Sequence, residues 1–274
     1  MLKDITIGQY FPGTSIIHKL DPRVKIGVVA MFIASLFFVT YFWPYLLILG
    51  FIATIIYVAK LPLKFIIKGL KPLMFIILIT FAINLFLTKG EVLFELGPLS
   101  ITKEGLRQSV FMALRLVFLI TGTSLLTLTT SPIALTDGIE RLLSPFKKIG
   151  LPAHELAMMM TIALRFIPTL LEETDKIMKA QMARGADFES GNILRRAKNL
   201  VPLLVPLFIN AFRRADELAT AMEARCYRGG EGRTRLNELK FRTRDFVVLG
   251  SMVIFFGLII STRYLVIGWE ILNL

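Results

Sequence analysis

The sequence predicts an all-α integral membrane protein, with about five transmembrane helices and a large polar block that contains two long helices. The chain has 274 residues, of which 55% are hydrophobic, and its mean hydropathy is +0.67. A soluble protein of this length intersperses its apolar residues with charge, whereas long uncharged runs dominate here. We therefore divide the chain into residues 1–130 with transmembrane helices 1–4, the charged block 131–243, and residues 244–274 with transmembrane helix 5.

The first two spans come from one uncharged run that is too long for a single helix. A polar N-terminal segment leads to Asp21, a residue type that caps helix N-termini. Residues 26–59 carry no charge. One helix of that length would be about 50 Å long, against roughly 30 Å for a hydrocarbon core. The aromatic and proline cluster at 41–45 is typical of a membrane interface, so we split the run there into two short spans.

Three further apolar runs predict the remaining spans, at 72–88, about 105–130 and 246–262. The segment 89–104 between the third and fourth spans contains glycine, proline and mixed charge, which predicts a loop. Arg115 lies inside the fourth span. An arginine at membrane depth is costly, which favours either a functional role or snorkelling and pairing within the bundle.

The block 131–243 is too charged to lie in the membrane core. Its two apolar stretches are interrupted by Arg165 and Pro168 in one case and by Pro202 and Pro206 in the other. Neither spans a bilayer comfortably, and both fit helices along the interface or packed under the bundle. We predict three helices in this block, at about 137–149, 152–186 and 192–225.

The distribution of lysine and arginine predicts one topology. Basic residues favour the cytoplasmic side of a membrane. The N-terminus, the basic segment 60–71 and the block 131–243 are then inside, and the loops at 41–45 and 89–104 are outside. Five spans place the C-terminus outside.

Two related stretches, AQMARGAD (180–187) and AMEARCYRGG (221–230), each look like the end of a long amphipathic helix. A shift of 41 residues lays the first on the second. As ordinary helix caps they need no further role, because basic residues and a C′ glycine both suit a helix C-terminus. As a duplicated feature they suggest two handles by which a soluble partner moves a membrane protein. The candidate residues are Ala183, Arg184, Gly185, Ala224, Arg225 and Cys226.

The chain lacks the motifs of an enzyme. It has no phosphate-binding G-x-x-x-x-G-K-[ST] loop and no H-E-x-x-H, and its one cysteine and two histidines are too few for a zinc site without carboxylates. We interpret His154, at a predicted helix start, as structural. The net charge of +12 comes without a basic stripe interleaved with aromatics, which argues against nucleic acid. We expect a non-catalytic chain that binds no metal or cofactor and has the lipid bilayer as a partner.

At this point the sequence resembles a known family over nearly its whole length. The stretches that carry the resemblance include GQYFPGTSIIHKLDPRVK, LTTSPIALTDGIERLLSPFKK and the two long segments that end in ARGADFESG and ARCYRGGEGRTR. They resemble the transmembrane component of energy-coupling factor vitamin transporters, which is related to the membrane subunits of cobalt and nickel uptake systems. The family has glycine after the second arginine of its motif pair, where this chain has Cys226.

The resemblance implies an ATP-driven importer of vitamins or micronutrients in a bacterial or archaeal cell membrane. This chain would be the coupling and scaffold subunit, and its two long coupling helices would dock Arg184 and Arg225 onto two ATP-binding cassette subunits, expected to be a heterodimer. ATP would bind to those partners. A substrate-binding membrane subunit would be a third partner.

Three alternatives remain open from the sequence. They are the shared vitamin module, a dedicated cobalt or nickel importer subunit, and a stand-alone channel or secondary transporter. Methionine side chains adapt to different partners. We therefore mark Met158, Met159 and Met160 as a contact for the substrate-binding subunit, with a methionine-rich helix core as the alternative.

Overall fold

A computed structural model describes residues 10–96, 99–188, 192–230 and 239–272. This part of the chain is almost entirely helical, which confirms the all-α membrane class. Its α-helices are α1 (Pro22–Phe38), α2 (Pro44–Ala59), α3 (Leu63–Leu70), α4 (Met74–Leu87), α5 (Lys103–Thr129), α6 (Pro132–Leu143), α7 (Ala153–Ala183), α8 (Ile193–Ala224) and α9 (Thr243–Leu272). Short 3-10 helices, Lys71–Leu73 and Ser144–Ile149, join α3 to α4 and follow α6.

The split of the first apolar run is confirmed. The Asp21 carboxylate caps α1 by accepting the Arg23 amide at 2.9 Å, and Pro22 occupies the first helical turn. The backbone of Val39 is extended, and Pro44 opens α2. The two helices have 17 and 16 residues, about 25 Å each. Each is therefore slightly shorter than an average hydrocarbon core.

Four helical stretches of the described chain are long and apolar enough to cross a membrane. Leu63–Leu87, Lys103–Thr129 and Thr243–Arg263 have mean hydropathies of 2.2, 1.9 and 2.1. They correspond to the third, fourth and fifth predicted spans. The fourth stretch is α7, with a lower mean hydropathy of 1.2. Length and composition alone thus do not separate α7 from the spans.

Two predictions, one for a connecting loop and one for a helix boundary, are wrong. The predicted loop 89–104 contains a hairpin in which β1 (Val92–Leu96) pairs antiparallel with β2 (Leu99–Thr102). Aliphatic and β-branched residues on both sides of Gly97-Pro98 are a hairpin signal that outweighs the loop composition. The predicted helix 137–149 instead begins at Pro132, where Ser131 Oγ accepts the Ala134 amide at 3.3 Å, and its last six residues are 3-10.

The long helices of the polar block are confirmed as α7 and α8, with ends within three residues of the prediction. Pro168, Pro202 and Pro206 lie inside them without ending either helix. A proline removes one hydrogen bond of the helix ladder, and packing against a neighbouring helix compensates for it. Here α7 and α8 pack on each other.

The described residues divide into two compact units: one comprises those within 10–138 and 239–272, and the other those within 139–230. We call the first the apolar unit and the second the paired-helix unit. The core of the apolar unit is built where α1, α2, α5 and α9 meet, around Leu36, Ile48 and Met252, which are fully buried. Aromatic rings stack across this core, and the ring centroids of Phe51 and Phe255 are 4.3 Å apart.

A buried polar cluster fastens the start of α1 to the start of α9 within the apolar unit. The Asp245 carboxylate accepts the backbone amides of Asp21 at 2.9 Å and Arg242 at 2.7 Å. The Lys25 ammonium donates to the Thr129 carbonyl at 2.8 Å, and Lys25 is only 6% exposed. Buried charges satisfied in this way add little net stability, but loss of one partner would leave the other buried and uncompensated.

At the other end of the unit, Arg115 donates to the carbonyl of Val39 at 3.2 Å and lies over the ring of Phe111, with 5.0 Å from guanidinium carbon to ring centroid. Val39 is the C-cap of α1. A cation there compensates the partial negative charge of the helix end. The structure thus supports pairing within the bundle for this intramembrane arginine.

Candidate coupling site

The end of α7 forms a tight C-terminal cap, which we call the first tip (Ala183, Arg184, Gly185). The Gly185 amide donates to Met182 and the Ala186 amide to Gln181, each at 3.0 Å. Gly185 has φ +87°, the left-handed conformation that a C′ residue takes in a Schellman motif. The chain therefore turns sharply away one residue after Arg184.

The end of α8, the second tip (Ala224, Arg225, Cys226), repeats this geometry bond for bond. The Cys226 amide donates to Glu223 at 2.8 Å and the Tyr227 amide to Met222 at 3.0 Å. Cys226 has φ +54°, so it adopts the left-handed conformation without being glycine. The departure from glycine at this position thus leaves the shape of the helix end unchanged.

Both arginines project from these turns into solvent. Arg184 and Arg225 are exposed, as are the alanines before them. Among the described residues neither guanidinium has a hydrogen bond or an ion pair. A guanidinium offers five donors in a planar fork suited to carboxylate and carbonyl groups. The two tips are therefore free to bind a partner of that chemistry.

The two tips lie at equal distances along their helices from one contact between α7 and α8. An ion pair joins Glu173 of α7 to Arg214 of α8. These residues are 41 positions apart, which is the same shift that relates the tips. Arg184 follows Glu173 by eleven residues, and Arg225 follows Arg214 by eleven. Each tip is therefore about 16 Å along its helix from this ion pair.

The helices run antiparallel, so the tips point to opposite ends of the pair. Near the end of α7, the Gln181 side-chain amide donates to the carbonyl of Pro202 early in α8 at 3.5 Å. Near the start of α7, His154 contacts Tyr227, which lies just beyond the end of α8. Roughly 33 Å along the pair thus separates Arg184 from Arg225. One small binding site cannot hold both, but two related sites can.

The second tip is anchored by a histidine. His154 Nδ1 is 3.0 Å from a carboxylate oxygen of Glu140, and its Nε2 is 3.4 Å from the hydroxyl of Tyr227. We assign the ring proton to Nδ1, since that tautomer donates to Glu140 and accepts from Tyr227. Glu140 is only 9% exposed and lies on α6. His154 therefore links the turn after α8 to α6 and is structural, as predicted.

The first tip has a different anchor. Its residue equivalent to Tyr227 is Ala186, which carries no hydrogen-bonding side chain. The following carbonyl, of Asp187, accepts the side-chain amide of Asn199 at 2.6 Å. That contact stays within the α7–α8 pair, whereas the His154 contact reaches α6. Two tips of equal shape are thus held by different neighbours.

The three consecutive methionines lie on the first third of α7. Met159 and Met160 are 55% and 42% exposed, and Met158 is half-buried. They present flexible apolar surface rather than a closed core. They lie far along α7 from the first tip, so the structure does not bring the methionines and Arg184 together.

Two features of this site were missed from the sequence. The Glu173–Arg214 contact and the His154–Tyr227 contact join residues 41 and 73 positions apart in the chain. One signal was present for the first: the shift of 41 that aligns the tips also lays Glu173 on Arg214, two opposite charges. For the second, we find no local sequence signal.

Fold and site together define an all-α membrane protein with two equivalent, arginine-bearing helix ends. Residues 13–236 match the model of the CbiQ family, described as cobalt transport protein. A protein of Thermosediminibacter oceani named energy-coupling factor transporter transmembrane protein EcfT is 62% identical over 92% of this chain and 97% of its own length. Proteins of the same name from Clostridium kluyveri and Bacillus subtilis are 65% and 49% identical, over 90% and 96% of this chain and 92% and 100% of theirs. The chain belongs to this family of membrane transport proteins.

Proposed function

We propose that this chain is the transmembrane coupling and scaffold subunit of an ATP-driven importer of the energy-coupling factor type. The names of its relatives support membership in such a transporter. Work done by ATPase partners would enter through the two tips and be passed to a substrate-binding membrane subunit that carries a vitamin or other micronutrient. The chain itself would be non-catalytic and bind no cofactor, with ATP held by the partners.

The observation that carries the proposal is the symmetric pair of tips. Two exposed arginines with the same cap geometry lie at equal distances along their helices from one ion pair between α7 and α8. A pair of homologous ATPases presents two related grooves, so each tip would dock in one. The two ATPases would form a heterodimer, as the resemblance implies. The exposed surface around Met158, Met159 and Met160 would contact the substrate-binding subunit.

The proposal includes a location and an orientation. The chain would be a multi-pass protein of a bacterial or archaeal plasma membrane, with its N-terminus and the paired-helix unit in the cytoplasm and its C-terminus outside. The charge distribution supports this orientation. ATP is cytoplasmic, so the tips must face that side to meet ATPases.

Substitution of the two arginines tests the coupling role. Truncating one side of a hydrogen-bonded charge pair typically costs about 2–5 kcal/mol of binding. Arg184→Ala and Arg225→Ala should therefore each weaken co-purification of the ATPases. The double variant should nearly abolish both the co-purification and substrate uptake. Arg→Lys should fall between, because lysine lacks the planar fork. Arg213→Ala, at an exposed arginine of α8 away from the tip, is the matched control.

If the tips are only helix caps, the result differs. A basic residue at a helix end contributes about 0.3–1 kcal/mol to local stability. The double variant would then still hold both ATPases and transport normally, and the coupling role would be refuted.

A second candidate function is a dedicated cobalt or nickel importer subunit, which the description of the matching family model favours. The two functions differ in their membrane partner. Co-purification of several different substrate-binding subunits from the native host supports the shared module, and a single metal-specific subunit supports the second candidate.

A further inference from the structure

The apolar unit contains a partly open cavity of about 270 Å³ that the coupling role does not use. Four helices and the segment before α1 form its walls. The lining extends from the middle of the bundle toward the end at which α1 and α9 begin and α2 and α5 end. The lining residues of the four helices lie within 25–32 of α1, 51–58 of α2, 122–129 of α5 and 248–251 of α9.

The lining is apolar, and its few polar side chains are already bonded to the backbone. The Lys25 ammonium donates to the carbonyls of Thr129 and His18. The hydroxyls of Thr54, Thr129 and Ser251 each donate to a carbonyl of their own helix, at 2.7–2.8 Å. The walls therefore favour hydrocarbon over a polar solute.

Three exposed cations lie close in the chain to lining residues at this end of the bundle. Lys19 directly precedes the lining residue Leu20, Lys60 follows the lining residue Val58 by two positions, and Arg244 precedes Val248 by one helical turn. All three are exposed. We call them the basic rim. A membrane surface that carries anionic phosphate attracts such residues by about 1 kcal/mol each.

We propose that this cavity is a phospholipid site, with one acyl chain between α1, α2, α5 and α9 and the phosphate at the basic rim. A dry cavity of roughly 150 Å³ binds benzene, and this one is larger. The surrounding solvent is a bilayer, so the abundant molecule that combines a long alkyl chain with an anionic phosphate is a phospholipid. The inference is independent of the coupling role, because it rests on the apolar unit alone.

Filling the cavity should displace the lipid. The full chain would be purified in maltoside micelles that contain phosphatidylglycerol, washed in lipid-free detergent, and its bound phospholipid measured by native mass spectrometry. Each buried methylene changes partitioning roughly fourfold. Val29→Phe, in the lining, should therefore lower retention at least about tenfold. Val247→Phe makes the same change on α9 at a position that is 66% exposed and outside the lining. It should retain lipid like the wild type.

The rim is tested without touching the packing. Lys19→Gln, Lys60→Gln and Arg244→Gln together should lower retention of phosphatidylglycerol about tenfold. The same three changes at Lys89, Lys103 and Arg107, exposed cations near the opposite end of the bundle, should not. If Val29→Phe fails to fold, this rim comparison decides alone. The proposal is overturned if the wild type keeps no lipid, if both sets of variants retain it equally, or if a folded Val29→Phe variant retains lipid like the wild type.

Discussion

Removal of the His154 side chain should loosen the second tip specifically. The hydrogen bond to Glu140 has an ordinary length of 3.0 Å, and its acceptor is a nearly buried carboxylate. Hydrogen bonds to charged groups contribute about 1.5–3 kcal/mol. The contact to Tyr227 is 3.4 Å long, beyond the usual range for a hydroxyl donor, so it contributes less. We expect His154→Ala to lower the local stability of the turn after α8 by about 2 kcal/mol.

Amide hydrogen exchange of the purified chain measures this local effect. A loss of about 2 kcal/mol corresponds to roughly 30-fold faster exchange through local opening. The faster exchange should appear at 222–230, and at the first tip, 181–187, the rate should stay unchanged. Tyr227→Phe removes the longer of the two His154 contacts and should accelerate exchange less than His154→Ala does. Equal acceleration at both tips, or a larger effect of Tyr227→Phe than of His154→Ala, would refute the assigned link.

Three further predictions concern strain, protonation and topology. Cys226→Gly should raise the free energy of unfolding by up to about 1 kcal/mol, as measured by chemical denaturation. The left-handed conformation costs a non-glycine residue about 1–2 kcal/mol. Part of that gain is lost because glycine gives up more backbone entropy when the chain folds. Burial lowers the pKa of His18, so the folded chain binds fewer protons there than the unfolded chain. Stability should fall as the pH drops below the unfolded value of about 6.5, and His18→Gln should lose that dependence, as measured by unfolding midpoints at pH 7.5 and 5.5. A cysteine introduced at Glu95 should be labelled from outside intact cells, whereas one at Glu189 should not; label at Glu189 would contradict the proposed orientation.

The sequence predicted the helices well where uncharged runs and capping residues mark them. Residues 26–59 could only be two short helices, because a single one would exceed a bilayer. The ends of α7 and α8 were found because the tips carry cap signals. The hairpin was missed because Gly97-Pro98 was interpreted as loop composition rather than as a turn between two strands. The start of α6 was missed because Pro132 opens a helix as readily as it ends one.

Contacts across the fold were the part that sequence reasoning could not supply. Arg115 was recognised as unusual, yet its partner Val39 lies 76 residues away and is bonded through a backbone carbonyl, which no side-chain pattern reveals. The same holds for Asp245 and the amide of Asp21. Such bonds depend on which helices become neighbours, and helix packing is set by the whole core rather than by local spacing.

The two interpretations of the tips, helix cap and coupling handle, are not exclusive, and Cys226 shows how they combine. If stability alone determined this position, glycine would be favoured, because a left-handed cysteine is strained. The Schellman turn nevertheless forms there, and it directs the chain so that Tyr227 reaches His154. The cap therefore sets the direction of the chain after α8, and the Tyr227–His154 contact helps to hold it. That shape leaves Arg225 exposed at the same distance along its helix from the Glu173–Arg214 ion pair as Arg184, which is what the proposed docking onto two related partners requires.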